Sequence, residues 1–254
     1  MIGVDRAEHF AAEWIAAWDR HDVDALLARC DDAFEWTSPL LARIAGKSAT
    51  VLRGKARIGA SWARLLTPPA LTVAPRFRLR LRSALTGADG LVLLCDLDSR
   101  RVAQTIRLGA DGRATRLACQ HFPLKTGGAD MIEADFARHF ADDWISAWNR
   151  HDLAAILSHY APDIDMHSPY IAVMANEPGG VLHGKAAVGS YWEKALARMP
   201  DLHFALTEVF CGADSLVLHY QGQRGAVAEV FEFGADGKVI SAAAHYAHPP
   251  ENAP

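Results

Sequence analysis

No run of apolar residues in the chain approaches the ~20 that a membrane-spanning helix requires. The first ten residues, Met1 to Phe10, turn polar and acidic too early to form the apolar core of a signal peptide. The expected location is therefore the cytoplasm, with no membrane partner. A net charge of -4 gives no electrostatic reason to bind nucleic acid. Cysteine is sparse: Cys30, Cys95, Cys119 and Cys211 contain no C-x-x-C pair, and 254 residues can build cores without disulfides. They read as buried thiols. Twelve histidines include no H-E-x-x-H or H-x-x-x-H pair on a predicted helix, so no metal site is expected, and no cofactor.

What the chain does contain is the same pattern twice. Trp14-Ile-Ala-Ala-Trp-Asp-Arg-His-Asp22 returns 130 residues later as Trp144-Ile-Ser-Ala-Trp-Asn-Arg-His-Asp152. At that offset Ser38-Pro39 meets Ser168-Pro169, Gly54-Lys55 meets Gly184-Lys185, and Trp62 meets Trp192. Beyond Trp62 the offset falls to 125, aligning Gly109-Ala-Asp-Gly112 with Gly234-Ala-Asp-Gly237, so the first copy carries five extra residues between Trp62 and Gly87. Two units this long imply duplicated globular domains, at 5–125 and 132–250, rather than a solenoid of short repeats. Thr126-Gly-Gly-Ala-Asp130 reads as a flexible joint.

Each copy opens with an amphipathic helix, on Phe10, Trp14, Ile15 and Trp18 or Phe140, Trp144, Ile145 and Trp148. Asp22 and Asp152 are placed to cap a second helix. Short strands at 33–37 and 163–167 end at Ser-Pro, a variable loop follows, and 55–66 and 185–197 predict a third helix. Four strands close each copy: 77–81, 91–95, 102–108 and 115–121, then 202–206, 216–220, 227–233 and 239–246.

This order of elements, with the Trp144-x-x-Ala-x-Asn-x-x-Asp-Leu153 pattern, a strand ending before proline and a final hairpin over Phe231-Glu-Phe-Gly-Ala-Asp-Gly-Lys-Val239, resembles the nuclear transport factor 2-like (cystatin-like) α+β superfamily, and within it the SnoaL-like branch. The resemblance covers both copies almost end to end. It implies a bent antiparallel sheet wrapped around helices to leave a conical pocket, and two copies packed as an intramolecular pseudo-dimer, because single-copy members pair through the outer sheet face. The chain would then be a monomer, or pair further as a homodimer. A function does not follow from the fold. Ketosteroid isomerase, a relative that combines an aspartate base with a tyrosine and a protonated acid, implies the base where Ser38 and Ser168 stand and the tyrosine where Trp14 and Trp144 stand. Its protonated acid corresponds to Glu229, against Gln104 in the first copy. Steroid isomerisation by that mechanism is therefore not expected.

Strand alternation, once Glu229 is taken to face inward, gathers Trp144, Trp148, Tyr220, Phe231 and Tyr246 around it, with Ser168 nearby and His167 at the rim. Glu229 reads either as an acid or base with a pKa raised by burial, or as a structural hydrogen-bonded carboxyl. In the first copy Trp14, Gln104 and His121 take the equivalent positions, His121 as a satisfied buried histidine or, with Cys119, a thiol-imidazole pair. The functional expectation is a protein that binds a small apolar or aromatic molecule in the second pocket, acting as an isomerase, a polyketide cyclase-like lyase or a hydratase through Glu229. The alternative is a non-catalytic binding or assembly module with a structural first domain.

Outward parity sets Thr105, Arg107 and Gln120 of copy one against Val230, Glu232 and His245 of copy two, and turns Leu94, Val217 and His219 the same way. These are expected where the copies meet. Arg76-Phe-Arg-Leu-Arg-Leu-Arg82 presents four arginines on one strand face, either as a solvated face that discourages edge pairing, or to bind an anionic partner or match acidic residues of the other copy.

Overall fold

The computed structural model describes residues 3–41, 50–66, 78–98, 100–122 and 132–250. The variable loop at 42–49, the segment 67–77 with Arg76 and Phe77, and the joint 126–130 lie outside them.

The first half runs α1 (Val4–Asp19), α2 (Val23–Ala28), β1 (Cys30–Thr37), β2 (Val51–Arg53), α3 (Lys55–Leu66), β3 (Leu79–Thr86), β4 (Gly90–Leu97), β5 (Arg100–Leu108) and β6 (Ala114–His121). The second runs α4 (Ala134–Asn149), α5 (Leu153–Ser158), β7 (Tyr160–His167), α6 (Pro169–Met174), β8 (Val181–His183), α7 (Lys185–Arg198), β9 (Ala205–Cys211), β10 (Ser215–Gly222), β11 (Gly225–Phe233) and β12 (Val239–Tyr246). The first helix of each half buries matched residues: Phe10, Trp14 and Trp18 on α1, Phe140, Trp144 and Trp148 on α4. Asp22 and Asp152 cap α2 and α5 alike, each accepting from a backbone N-H three residues on at 2.9 Å. Among the described residues, no helix is long and apolar enough to cross a membrane.

β3–β6 form one antiparallel meander and β9–β12 another, with β1 and β7 added in parallel to β6 and β12. Single backbone pairings, His121 with Cys211 and Thr86 with Tyr246, join the meanders at two corners. The strands therefore close into a barrel-like ring. One apolar cluster holds first-half residues only and a second holds second-half residues only. A third lies between the meanders and draws on both, through Leu85, Val92, Leu94 and Ala103 against Phe210, Val217, Ala228, Val230 and Ala243. Burying each of its larger side chains contributes roughly 1.5–3 kcal/mol.

β3 and β9 differ from the sequence reading, which stops them at Leu81 and Leu206. Each carries a bulge, between Leu81 and Ser83 in β3 and across from the His219/Tyr220 step in β9, and the ladder resumes with its faces exchanged. Before the bulge Leu79 packs into the first-half core, whereas after it Leu85 faces the other half. A period-2 pattern broken midway does not read as one strand. The helix α6 also replaces part of what reads as loop; Ser168 caps it by accepting from Tyr170 N at 3.2 Å, and Pro169 starts it without needing a donor.

The bulge also determines what Arg82 does. Rather than joining a solvated face, its guanidinium reaches Glu208 of the second half at 3.0 Å. Arg101 meets the same carboxylate, and His219 lies 3.2 Å from its second oxygen. Arg116 spans to Asp214 at 2.7 Å and Glu232 at 2.8 Å, and Gln120 to Ser215 at 3.0 Å. Arg107 pairs within its own half, with Asp89 at 3.2 Å.

Burial raises the Glu208 pKa, but Arg82 and Arg101 outweigh it and leave the carboxyl below the ordinary range. A depressed carboxyl contributes stability above its unfolded pKa and loses it as pH falls through the folded one. Glu208→Gln should lower stability at pH 7 by about 2–3 kcal/mol, the low end for a buried ion pair because both arginines are partly exposed. Urea denaturation should show the gap from the parent narrowing as pH drops below the ordinary glutamate value. A gap independent of pH would remove the ion pairs as its cause.

Candidate functional site

A cavity of about 400 Å³ opens on the inner side of the β9–β12 meander, between α4, α6 and α7. That lies within the range of small-molecule sites. Glu229 sits at mid-strand in β11, between Leu218 of β10 and Ala244 of β12, and the pleat turns it inward. It is 4% exposed, and the Tyr220 hydroxyl donates to its Oε2 at 2.8 Å. Burial pushes its pKa up to about 7, with the Tyr220 hydrogen bond acting the other way. Glu229 thus exchanges a proton near neutral pH while most carboxyls are fully ionised.

The surrounding tyrosines stay protonated. Burial raises the pKa of Tyr220, Tyr246 and Tyr191, and for each the negative charge of Glu229 adds to the effect. Ser168 ties Tyr246 to the start of α6, its hydroxyl lying 3.4 Å from the phenol oxygen. The Trp144 indole, by contrast, donates to Tyr160 at 2.8 Å and leaves the carboxylate alone. The Trp148 Nε1 donor is buried without a hydrogen-bond partner among the described residues.

The first half shows what fills this space. Its Trp62 ring is packed by Trp14, Trp18, Phe34 and Trp36 at centroid distances of 5.2–6.0 Å. At the positions of Phe34 and Trp36 the second half has Ile164 and Met166, and Met166 lines the cavity. Replacing an indole with a thioether leaves room for a ligand.

Among the residues the sequence singles out, Glu229, Trp144, Trp148, Ser168, Tyr220 and Tyr246 line the cavity together. Phe231 does not: it is fully buried behind the wall, edge-on to Trp144 at 5.3 Å. Nor does His167, since Met166 and Ser168 face the cavity and the residue between them must point away; it approaches Asp89 of the first half at 3.4 Å. Trp14 and Gln104 bond to each other at 2.9 Å in the first-half core. His121 is buried with neither ring nitrogen partnered among the described residues, so it is not the satisfied histidine expected, and burial with nearby Arg100 lowers its pKa to about 4. Cys119 is half-buried rather than buried, and desolvation pushes its thiol up to about 11, which leaves no thiol-imidazole pair. Sequence reasoning missed Tyr170, Tyr191, Arg198 and Arg224, which also line the cavity. A signal was present: all five tyrosines of the chain fall in its second half. Among the described residues, no group of three or more His, Cys, Asp or Glu is placed to hold a metal ion.

A carboxyl with a raised pKa binds its proton more tightly folded than unfolded, so stability falls as pH rises from the ordinary glutamate value of 4.5 to about 7. The penalty is on the order of 3 kcal/mol. Glu229→Gln removes it and keeps an acceptor for Tyr220. Thermal or urea unfolding should find the glutamine variant close to the parent at pH 5 and more stable at pH 8. Equal stability at both pH values would mean that Glu229 ionises normally.

A family model described as a SnoaL-like domain matches residues 141–242. A SnoaL-like protein of unknown function from Burkholderia thailandensis is 51% identical, over 46% of this chain and 98% of its own, with a TM-score of 0.45. A putative hydroxylase from Streptomyces galilaeus is 21% identical over 46% of this chain and 93% of its own (TM-score 0.36). A putative ketosteroid isomerase from Kribbella flavida is 15% identical over 47% and 84% (TM-score 0.35). No curated protein matches the sequence. Half-identity across almost the whole of a SnoaL-like protein, with the family model over α4 to β12, settles the kinship: the chain belongs to the SnoaL-like family, with its cystatin-like, NTF2-like fold of helices and antiparallel sheet.

Proposed function

We propose that this protein binds a small apolar or aromatic molecule in the second-half cavity and moves a proton on it with Glu229, as an isomerase, cyclase or hydratase does. The observation that carries the reading is a buried carboxyl with a pKa of about 7 on the wall of a 400 Å³ aromatic cavity. A structural carboxyl would be enclosed by partners, whereas among the described residues Glu229 has the Tyr220 hydroxyl and then open space. Tyr220 holds it in place and donates to the anion left after proton release. Trp148 offers a further donor to a polar atom of the ligand.

The first half serves as scaffold in this reading, its core filled by tryptophans. We propose further that 5–125 and 132–250 are two NTF2-like domains packed as a pseudo-dimer within one chain. Their matched element order, separate apolar clusters and shared third cluster support this. Light scattering should then give the mass of a single chain, 27.6 kDa. A doubled mass would show that another face pairs as well.

The acid-base role can be tested before the natural ligand is known. 5-Nitrobenzisoxazole gives up its C3 proton to a desolvated carboxylate while the N-O bond breaks, releasing 2-cyano-4-nitrophenolate. The protein should accelerate this elimination, with a rate that rises as pH passes about 7. Glu229→Gln should reduce it by about 100-fold or more. Undiminished turnover in the glutamine variant would take Glu229 out of the chemistry.

A further inference from the structure

The cavity lining includes two cations that the proton-transfer reading does not use. Arg198 ends α7, and Arg224 occupies the turn between β10 and β11. Both are exposed, whereas Glu229 on the same lining is 4% exposed, so the cavity runs from a cationic mouth to a buried acid. Arg82, Arg101, Arg107 and Arg116, on the sheet, each reach a carboxylate. Neither Arg198 nor Arg224 makes an ion pair with a described residue. Arg224 instead lies over the Tyr170 ring, its guanidinium carbon 5.6 Å from the centroid. That contact holds the cation at the cavity wall while its N-H donors stay open.

Resting on the proton-transfer reading of the same cavity, we propose that the ligand class is an aromatic or polycyclic acid, whose anionic group is held at the mouth by Arg198 and Arg224 while its apolar body reaches Glu229. The direction of entry follows from charge. An organic anion at the buried end would face an ionisable carboxyl in a low-dielectric wall, where like charges repel strongly. At the mouth it meets two guanidiniums with the fork geometry that carboxylates fit. The ligand atom that gains or loses a proton then lies away from its acidic group. The first half has Ser99 at the position of Arg224, so its sequence lacks this anchor as well as the acid.

Calorimetric titration at pH 8 with 2-naphthoate and its near-isosteric neutral partner 2-naphthamide tests the proposal. The carboxylate should bind about 10-fold more tightly than the amide. In the double variant Arg198→Gln with Arg224→Gln, the ratio of the two affinities should fall to about one. Arg53→Gln, which removes the same charge from the outer edge of the first half, should leave the ratio near its parent value. Equal binding of both probes by the parent chain, or a ratio that survives loss of both arginines, overturns the anionic class and leaves the proton-transfer reading standing. Binding of neither probe overturns the cavity as an aromatic site, and both readings fall together.

Discussion

The site depends on where one indole N-H goes. In the first half Trp14 donates to Gln104, an arrangement that satisfies both side chains and closes the core. In the second half Trp144 donates to Tyr160, which stands where the first half has Cys30, and the strand position of Gln104 passes to Glu229. Had the Trp144 indole reached Glu229, a charge-assisted hydrogen bond would favour the ionised form and draw its pKa back down. Diverting that donor to a phenol leaves burial as the dominant influence on the acid. The Tyr160 hydroxyl, itself fully buried, is held protonated. A tyrosine outside the cavity lining thereby tunes a carboxyl within it.

Much of the fold was legible because the chain states it twice. The matched apolar positions of α1 and α4 and the capping aspartates follow from the helical period, and the residues that share a face with Glu229 follow from strand alternation once the family resemblance turns Glu229 inward. The outward parity of Leu94 and Val217 was legible for the same reason, and both lie in the cluster between the meanders. The bulges were not, because an inserted residue has no compositional mark, and the strands' second halves changed face unseen. His167 differs for another reason: its nearness to Ser168 along the chain suggests the rim, whereas strand alternation sends it to the opposite side.

The cavity itself lay between these cases. Its walls could be drawn from strand parity, but its emptiness is a difference in volume between the cores of the two halves. That difference resides in Trp36 against Met166 and Phe34 against Ile164, and a sequence gives no sum of volumes until the partners across the core are known. Arg198 and Arg224 were invisible because they come from a helix end and a turn, elements whose approach to the cavity is decided by tertiary packing alone.

The buried Glu208 has a consequence for self-recognition. At the positions of its partners Arg82 and Arg101, the second half carries Thr207 and Ala226. A second half facing another second half across the same surface would enclose two carboxylates with no cation between them, at a cost of several kcal/mol each. Two first halves would bring four arginines together around Ser83. Each half is therefore a poor partner for its own kind and a good one for the other. The charge pattern at this surface thus favours the pairing of unlike halves over that of like ones, even though the two halves share their element order.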